Sequence, residues 1–141
     1  MSINSKILIV DDTPKNIQMA MNILKNEGHK MIYAKNGLNA LKLLEEQEFD
    51  LVLLDIMMPD LNGFEVCKKI KSNEKTKDIP VIFLSGKDST EDIEKAYESG
   101  GIDYVVKPFI TIELITKVNS YSKLKKYEDI YLKINREKDV K

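Results

Sequence analysis

Five short apolar runs alternate with segments of helical spacing along this chain, and no other feature limits the fold as tightly. The runs are Lys6 to Val10, Met31 to Ala34, Leu51 to Leu54, Val81 to Leu84 and Tyr104 to Val106. They are almost unbroken and rich in Leu, Ile and Val, which is the pattern of strands buried on both faces. Between them stand Ile17, Ala20, Met21 and Leu24; Leu38, Leu41 and Leu44; Phe64, Cys67 and Ile70; and Ile93, Ala96 and Tyr97, each set at helical intervals. Local punctuation agrees. Thr13-Pro14 suits the N-cap and first position of a helix, and Asn36-Gly37 marks a turn before the next. Ser89 with Asp92 three residues on resembles a capping box, and Gly100-Gly101 supplies a stop. A helix after every strand requires right-handed parallel crossovers that pack back onto one sheet. The expected fold is α/β, a (βα)5 doubly wound parallel five-stranded sheet with helices on both faces.

The last helix departs from the pattern by its length. It begins near Thr111, carries Ile112, Ile115 and Val118, and meets no Gly or Pro before the chain ends. Leu124, Tyr127, Tyr131 and Ile134 then follow at 3-4-3 spacing, the opening of a coiled-coil seam about two heptads long. We therefore divide the chain into one domain over 1–120 and an extension of the last helix over 121–141, a linker or dimerisation segment. The 22 basic and 23 acidic residues leave a net charge of −1, so there is no chain-wide basic field and no direct nucleic-acid partner is expected. The extension holds seven basic and four acidic side chains; that mixture reads as a solvated helix face. Arg136 is the one arginine, which argues against an Arg-lined phosphate pocket. No apolar run approaches the roughly 18 residues that cross a bilayer. The single cysteine, Cys67, cannot form an internal disulfide, and a cytoplasmic location without a membrane partner is expected.

Ligands of open parallel sheets bind beyond the carboxyl ends of the strands. At those ends the sequence places Asp11 and Asp12, Asp55, Ser85, and Lys107 followed by Pro108. Singly, each has an ordinary reading as a cap, a turn residue or an exposed lysine. Together, four strand ends deliver hydrophilic groups of complementary charge to one place. Three carboxylates and one ammonium sum to −2, and two like charges about 4 Å apart cost on the order of 4 kcal/mol at an effective dielectric near 20. A cation must bind, or a carboxyl must keep its proton. Oxygen donors without His or Cys favour a hard ion, Mg²⁺ or Mn²⁺. Such an ion beside a carboxylate, a hydroxyl and a lysine is equipment for phosphoryl transfer. Asp55 would attack phosphorus and become an acyl phosphate, while Ser85 and Lys107 each hold a phosphoryl oxygen.

These motifs, Asp11-Asp12 after ILIV, Asp55 in LVLLDIMMPDLNG, Ser85 after PVIFLSG and Lys107-Pro108 in DYVVKPF, resemble the receiver domain of bacterial two-component response regulators over about residues 5–120. The resemblance implies the flavodoxin-like strand order 2-1-3-4-5. It implies that Asp55 accepts a phosphoryl group from the phosphohistidine of a sensor histidine kinase or phosphotransfer protein, or from a small phosphodonor. Asp12 and Asp55 resemble direct metal ligands, with Asp11 acting through water and the Met57 carbonyl completing the set. The Lys107-Pro108 peptide is expected to be cis. Tyr104 is similar to the family's aromatic switch, which turns inward as phosphorylation draws the Ser85 hydroxyl away, reshaping the surface of helix 4, strand 5 and helix 5 for an output domain or target protein. Such a domain catalyses only its own phosphorylation and dephosphorylation. Met57 and Lys87 flank the route of attacking water in this family, and self-dephosphorylation is expected to be slow to moderate.

The remaining chemistry-bearing residues receive ordinary roles: His29 as an exposed loop residue, Cys67 as core packing and Met57-Met58 as loop packing. Competing functions fit less well. A phosphatase of the haloacid-dehalogenase type places its nucleophile in a D-x-D pattern after the first strand, whereas Asp55 follows the third. A flavodoxin needs backbone donors where Asp11-Asp12 would repel its phosphate. A non-phosphorylated pseudo-receiver would have lost part of the acidic set. No effector motif occurs in these 141 residues. The long last helix is similar to receivers that lead into histidine kinase, diguanylate cyclase or phosphodiesterase domains. Two expectations stand side by side: the receiver part of a longer protein, homodimeric through that helix, or a stand-alone relay.

Overall fold

A computed structural model describes residues 4–86 and 90–139 of the chain. Strands β1 (Lys6–Val10), β2 (Lys30–Ala34), β3 (Leu51–Asp55), β4 (Val81–Ser85) and β5 (Asp103–Val106) form one sheet in the order β2-β1-β3-β4-β5. Every neighbouring pair is parallel. The intervening helices are α1 (Pro14–Leu24), α2 (Gly37–Glu46), α3 (Gly63–Ser72) and α4 (Thr90–Glu98), and α5 (Thr111–Asp139) closes the fold. The expected doubly wound, flavodoxin-like architecture is thus the observed one.

Successive strand side chains point to opposite faces, so each central strand feeds two cores. Leu8, Val10, Val52, Leu54, Val81 and Phe83 pack with residues of α2 and α3 and with Ala96 of α4. Ile7, Ile9, Leu51, Leu53, Ile82 and Leu84 pack instead with Ile17, Ala20 and Leu24 of α1 and Leu114 and Val118 of α5. Double coverage is why β3 and β4, buried along their full length, carry unbroken apolar runs. The edge strand β2 differs from its expected burial: Tyr33 is half exposed and only Ala34 is buried, because a strand with one neighbour is less enclosed. Leu38 and Ile112, assigned to core-facing stripes, are also exposed, while Ala40 and Leu114 take the buried places. Both exposed residues sit in a first helical turn, where spacing alone does not tell which side meets the sheet.

Helix ends show which local signals were used. Thr13 is the N-cap of α1 but makes no side-chain cap; its amide donates to the Asp11 carboxylate at 2.9 Å. Asn36 caps α2 by accepting from the Asn39 amide at 2.8 Å. Asn62 and Glu65 form a reciprocal capping box on α3. Past α4, Gly100 adopts φ +108, a left-handed backbone that residues with a Cβ avoid. Ser89, the expected cap of α4, and Lys87 lie outside the described residues.

α5 is one helix of 29 residues. Its first half lies on the sheet through Leu114, Val118 and the fully buried Ser122. Further along, Lys126 Nζ stands 3.3 Å from Asp50, whose carboxylate also accepts from the Lys6 amide at 2.8 Å. Asp50 immediately precedes β3, so α5 passes from the carboxyl edge of the sheet to its amino edge. Among the described residues, no helix is long and apolar enough to cross a membrane.

Candidate functional site

Strand register assembles the carboxyl edge. Val10 of β1 pairs with Leu54 of β3, so the residues that follow, Asp11 and Asp55, come level with each other. Asp55 pairs with Leu84, and Ser85 with Val106, which puts Ser85 and then Lys107 one step further out. The Lys107 amide donates to the Ser85 carbonyl at 2.7 Å and fixes that step. The Lys107-Pro108 peptide is cis.

The ammonium of Lys107 bridges two carboxylates, Asp11 Oδ2 at 2.9 Å and Asp55 Oδ1 at 3.1 Å. The Asp11 and Asp55 side chains are only 1% and 7% exposed, Ser85 is buried and Asp12 is open to solvent. One carboxylate oxygen from each of Asp11, Asp12 and Asp55 lies within 4.8 Å of the others. A single ammonium does not neutralise this cluster. Burial first, and then the charges of Asp11 and Asp12, push the Asp55 carboxyl up from 3.8 to about 6 against the pull of Lys107. Lys107 itself is held above the usual lysine range: burial opposes its charge, but its bonds to and attraction by Asp11 and Asp55 outweigh that. Residual negative charge and an all-oxygen donor set fit a hard divalent cation.

The loop after β3 is fixed from behind. Gly63, the first residue of α3, approaches the Asp55 backbone so closely that an added Cβ would lie 2.3 Å from the Asp55 carbonyl oxygen. Its amide donates to the Ile56 carbonyl at 2.8 Å. Asp60, in the same loop, accepts from the amides of Gly37 and Leu38 at 3.3 and 3.2 Å and so ties the loop to the start of α2. Desolvation works against that carboxylate, yet backbone amides, with Leu61, Leu38 and Gly37 among them, hold its pKa below the usual range. Sequence reasoning missed Gly63, Asp60 and the Asn62–Glu65 box; of these, only the box had a local signal, Asn-x-x-Glu ahead of an apolar run. Met57 is 74% exposed rather than packed into the loop, while Met58 does pack against the core.

Compared with known proteins, residues 7–119 match the response regulator receiver domain family. The chain belongs to that family. Membership carries phosphorylation-dependent two-component signalling as the setting of this acidic edge. The receiver domain of a Francisella response regulator is 36% identical, with a TM-score of 0.78 over 85% of this chain and 98% of its own. A Vibrio cholerae protein named as a probable cyclic di-GMP phosphodiesterase is 43% identical over 129 residues, which is 92% of this chain and 29% of that protein. The DNA-binding response regulator MtrA of Mycolicibacterium smegmatis is 36% identical over 128 residues, 91% of this chain and 54% of that protein. This receiver therefore spans about half or less of the length of these curated relatives, and the phosphodiesterase name belongs to a protein most of which lies outside the match.

On the receiver's α4–β5–α5 face, the Tyr104 ring stands edge-on to Tyr97, with centroids 6.3 Å apart and an interplanar angle of 81°. Lys117 Nζ lies 5.4 Å from the Tyr104 ring centre and donates to the Tyr104 carbonyl at 2.9 Å and to Asp103 at 3.1 Å. The Tyr121 hydroxyl donates to the other Asp103 oxygen at 2.9 Å. Tyr97, Tyr104, Glu113 and Lys117 line a groove of about 590 Å³.

His29 corrects an expectation. It is half buried rather than exposed, with Nε2 2.6 Å from Asn119 Oδ1, because α5 lies over the loop that carries it. Asn119 in turn donates to Glu27 at 2.8 Å. Cys67 is fully buried, and burial pushes its thiol above the usual range, as befits a packing residue.

Proposed function

We propose that this receiver is a switch thrown by phosphorylation of Asp55, with the phosphoryl group drawn from the phosphohistidine of a sensor histidine kinase or phosphotransfer protein, or from a small phosphodonor. The observation that carries this reading is the convergence of Asp11, Asp12 and Asp55 within 4.8 Å, with Lys107 bridging Asp11 and Asp55. Asp11, Asp12, Asp55 and the Met57 carbonyl would hold Mg²⁺, or Mn²⁺ in its place. Such an ion, when bound, supplies the positive charge that lets a phosphate dianion approach carboxylates.

The chain's own groups do the rest. An Asp55 oxygen forms a bond to phosphorus as the bond from phosphorus to the donor nitrogen breaks, and the imidazole leaves. Lys107 exchanges part of its pairing with Asp55 for a phosphoryl oxygen, and the Ser85 hydroxyl donates to another. Movement of that hydroxyl opens space into which Tyr104 turns, and the groove between α4, β5 and α5 changes shape. Energetically this is a population shift, in which local contacts to the new charge favour one of two pre-existing arrangements. Residues 1–120 carry out these steps in the cytoplasm, and 121–141 pass the change to an output domain or target protein through a homodimer. The exposed thioether of Met57 orients no water, which favours slow to moderate self-dephosphorylation.

The test is incubation with Mg²⁺ and acetyl phosphate followed by intact mass measurement. Wild-type protein should gain one phosphoryl group, and Asp55→Asn or chelator-treated protein should gain none. A gain that persists in Asp55→Asn would place the acceptor elsewhere and end this reading.

A further inference from the structure

Between β3 and α3 the chain runs from Ile56 to Asn62, and Met57, the carbonyl donor of the proposed ion site, lies near its start. Both ends of this loop are fixed. Ile56 donates to the Leu84 carbonyl at 3.3 Å and accepts from Gly63 at 2.8 Å, while Asn62 belongs to the capping box of α3. The middle is held differently. The Met57 side chain is 74% exposed and gives its own carbonyl no anchor, and Pro59 has no amide to donate. Met58 and Leu61 pack against the core, but apolar contact is non-directional. Among the described residues, the hydrogen bonds from 57–61 to another element are those of Asp60, whose two carboxylate oxygens accept from the Gly37 and Leu38 amides at 3.3 and 3.2 Å.

Those amides are the first two donors of α2, groups that a helix leaves without internal partners. The next two are served by the helix's own N-cap: Asn36 Oδ1 takes the Asn39 amide at 2.8 Å, and the Asn36 carbonyl takes that of Ala40 at 3.1 Å. Asp60 completes the four and puts negative charge at the end where the helix dipole favours it. Because α2 already has a cap, Asp60 is a clamp between elements. We infer that Asp60 is a positioning residue of the ion and phosphoryl site: its grip on α2 holds the segment that carries the Met57 carbonyl in place beside Asp55. This rests on the Asp55 reading. Linkage makes the effect reciprocal, so a clamp that raises affinity for the ion is itself closed more firmly when the ion binds.

The test titrates Mg²⁺ into the full chain and follows the Gly37 and Leu38 amides by NMR, with Asp60→Ala and Asp60→Asn alongside. In the wild type, Mg²⁺ should slow hydrogen exchange at both amides, although neither belongs to an element that supplies a donor. Asp60→Ala should weaken Mg²⁺ about tenfold, the scale on which groups behind a ligand act, and its α2 amides should no longer respond to the ion. Asp60→Asn loses the charge but keeps an acceptor oxygen, so it should recover most of the affinity. Asp60 is exposed, and circular dichroism should show every variant folded; the wild-type exchange response needs no variant at all. A residue that only capped α2 would change stability and leave Mg²⁺ affinity where it was. Unchanged affinity in Asp60→Ala therefore overturns the inference, and an asparagine variant as weak as the alanine one overturns positioning in favour of charge alone. Wild type that binds Mg²⁺ while both amides stay indifferent ends this inference and leaves the Asp55 reading standing, whereas wild type that binds no Mg²⁺ ends the ion site and the clamp with it.

Discussion

Asp55 is held ready at a cost to the fold. Its carboxyl titrates near 6 in the native chain against 3.8 ordinarily, so the native state binds that proton more tightly than the unfolded state does. Stability therefore falls as pH rises from about 4 to about 6, and the full penalty remains above that window. A shift of about two units corresponds to roughly 3 kcal/mol. Asp55→Asn keeps the shape and removes the charge, and should stabilise the metal-free protein at pH 7.5 by up to about 3 kcal/mol. The gain should shrink to nothing near pH 3.5, as denaturant titrations across the range would show. A gain independent of pH would mean that something other than ionisation sets the cost. Mg²⁺ should narrow the difference by stabilising the wild type more than the variant. Gly63 is the second residue on which the site depends. A methyl group there would meet the Asp55 carbonyl at 2.3 Å, and backbone yields less easily than a flexible side chain. Gly63→Ala should cost about 1–3 kcal/mol and slow phosphorylation by acetyl phosphate more than that loss of stability explains.

Between elements, the connection to follow is Lys117 of α5 against Tyr104 of β5. Its ammonium sits over the ring and bonds both the Tyr104 carbonyl and Asp103, which favours the present placement of the tyrosine. Lys117→Met preserves the stem but not the charge, and a cation–π contact of about 0.5–1 kcal/mol translates into a roughly two- to fivefold change. Beryllofluoride, as a phosphoryl mimic, should bind this variant more tightly by that factor in a titration followed by NMR. Weaker binding would mean that Lys117 supports the phosphorylated arrangement instead. Neither contact could be read from the sequence, and the reason is physical. Strands β1, β3 and β4 were legible because burial on two faces leaves them almost no polar residue. The acidic edge was legible because parallel strands end together, so Asp11, Asp55, Ser85 and Lys107 announce a common location. By contrast, Asp60 on the α2 amides, His29 on Asn119 and Lys117 on Tyr104 join residues whose neighbours in sequence say nothing of each other. Leu38 and Ile112 misled for a related reason: periodicity identifies an apolar side but not the point along a helix where the sheet beneath it begins.

At the scale of the whole molecule, α5 is the element that connects the two ends. Its second half is tied down by Lys126 at Asp50, a buried carboxylate that also serves the Lys6 amide. Lys126→Met should leave global stability within about 1 kcal/mol while raising amide hydrogen exchange over 121–139. Unchanged exchange would assign the attachment to apolar contacts alone. The helix starts just past Lys107 and runs beyond the opposite edge of the sheet. At 1.5 Å per residue, its 29 residues form a rod about 44 Å long. A tilt of about 3° at the upper end would carry the far tip through roughly 2 Å. Leverage of this kind gears a displacement no larger than a hydroxyl's swing into one that a neighbouring helix must accommodate, while every peptide along the shaft keeps the hydrogen bonds it started with.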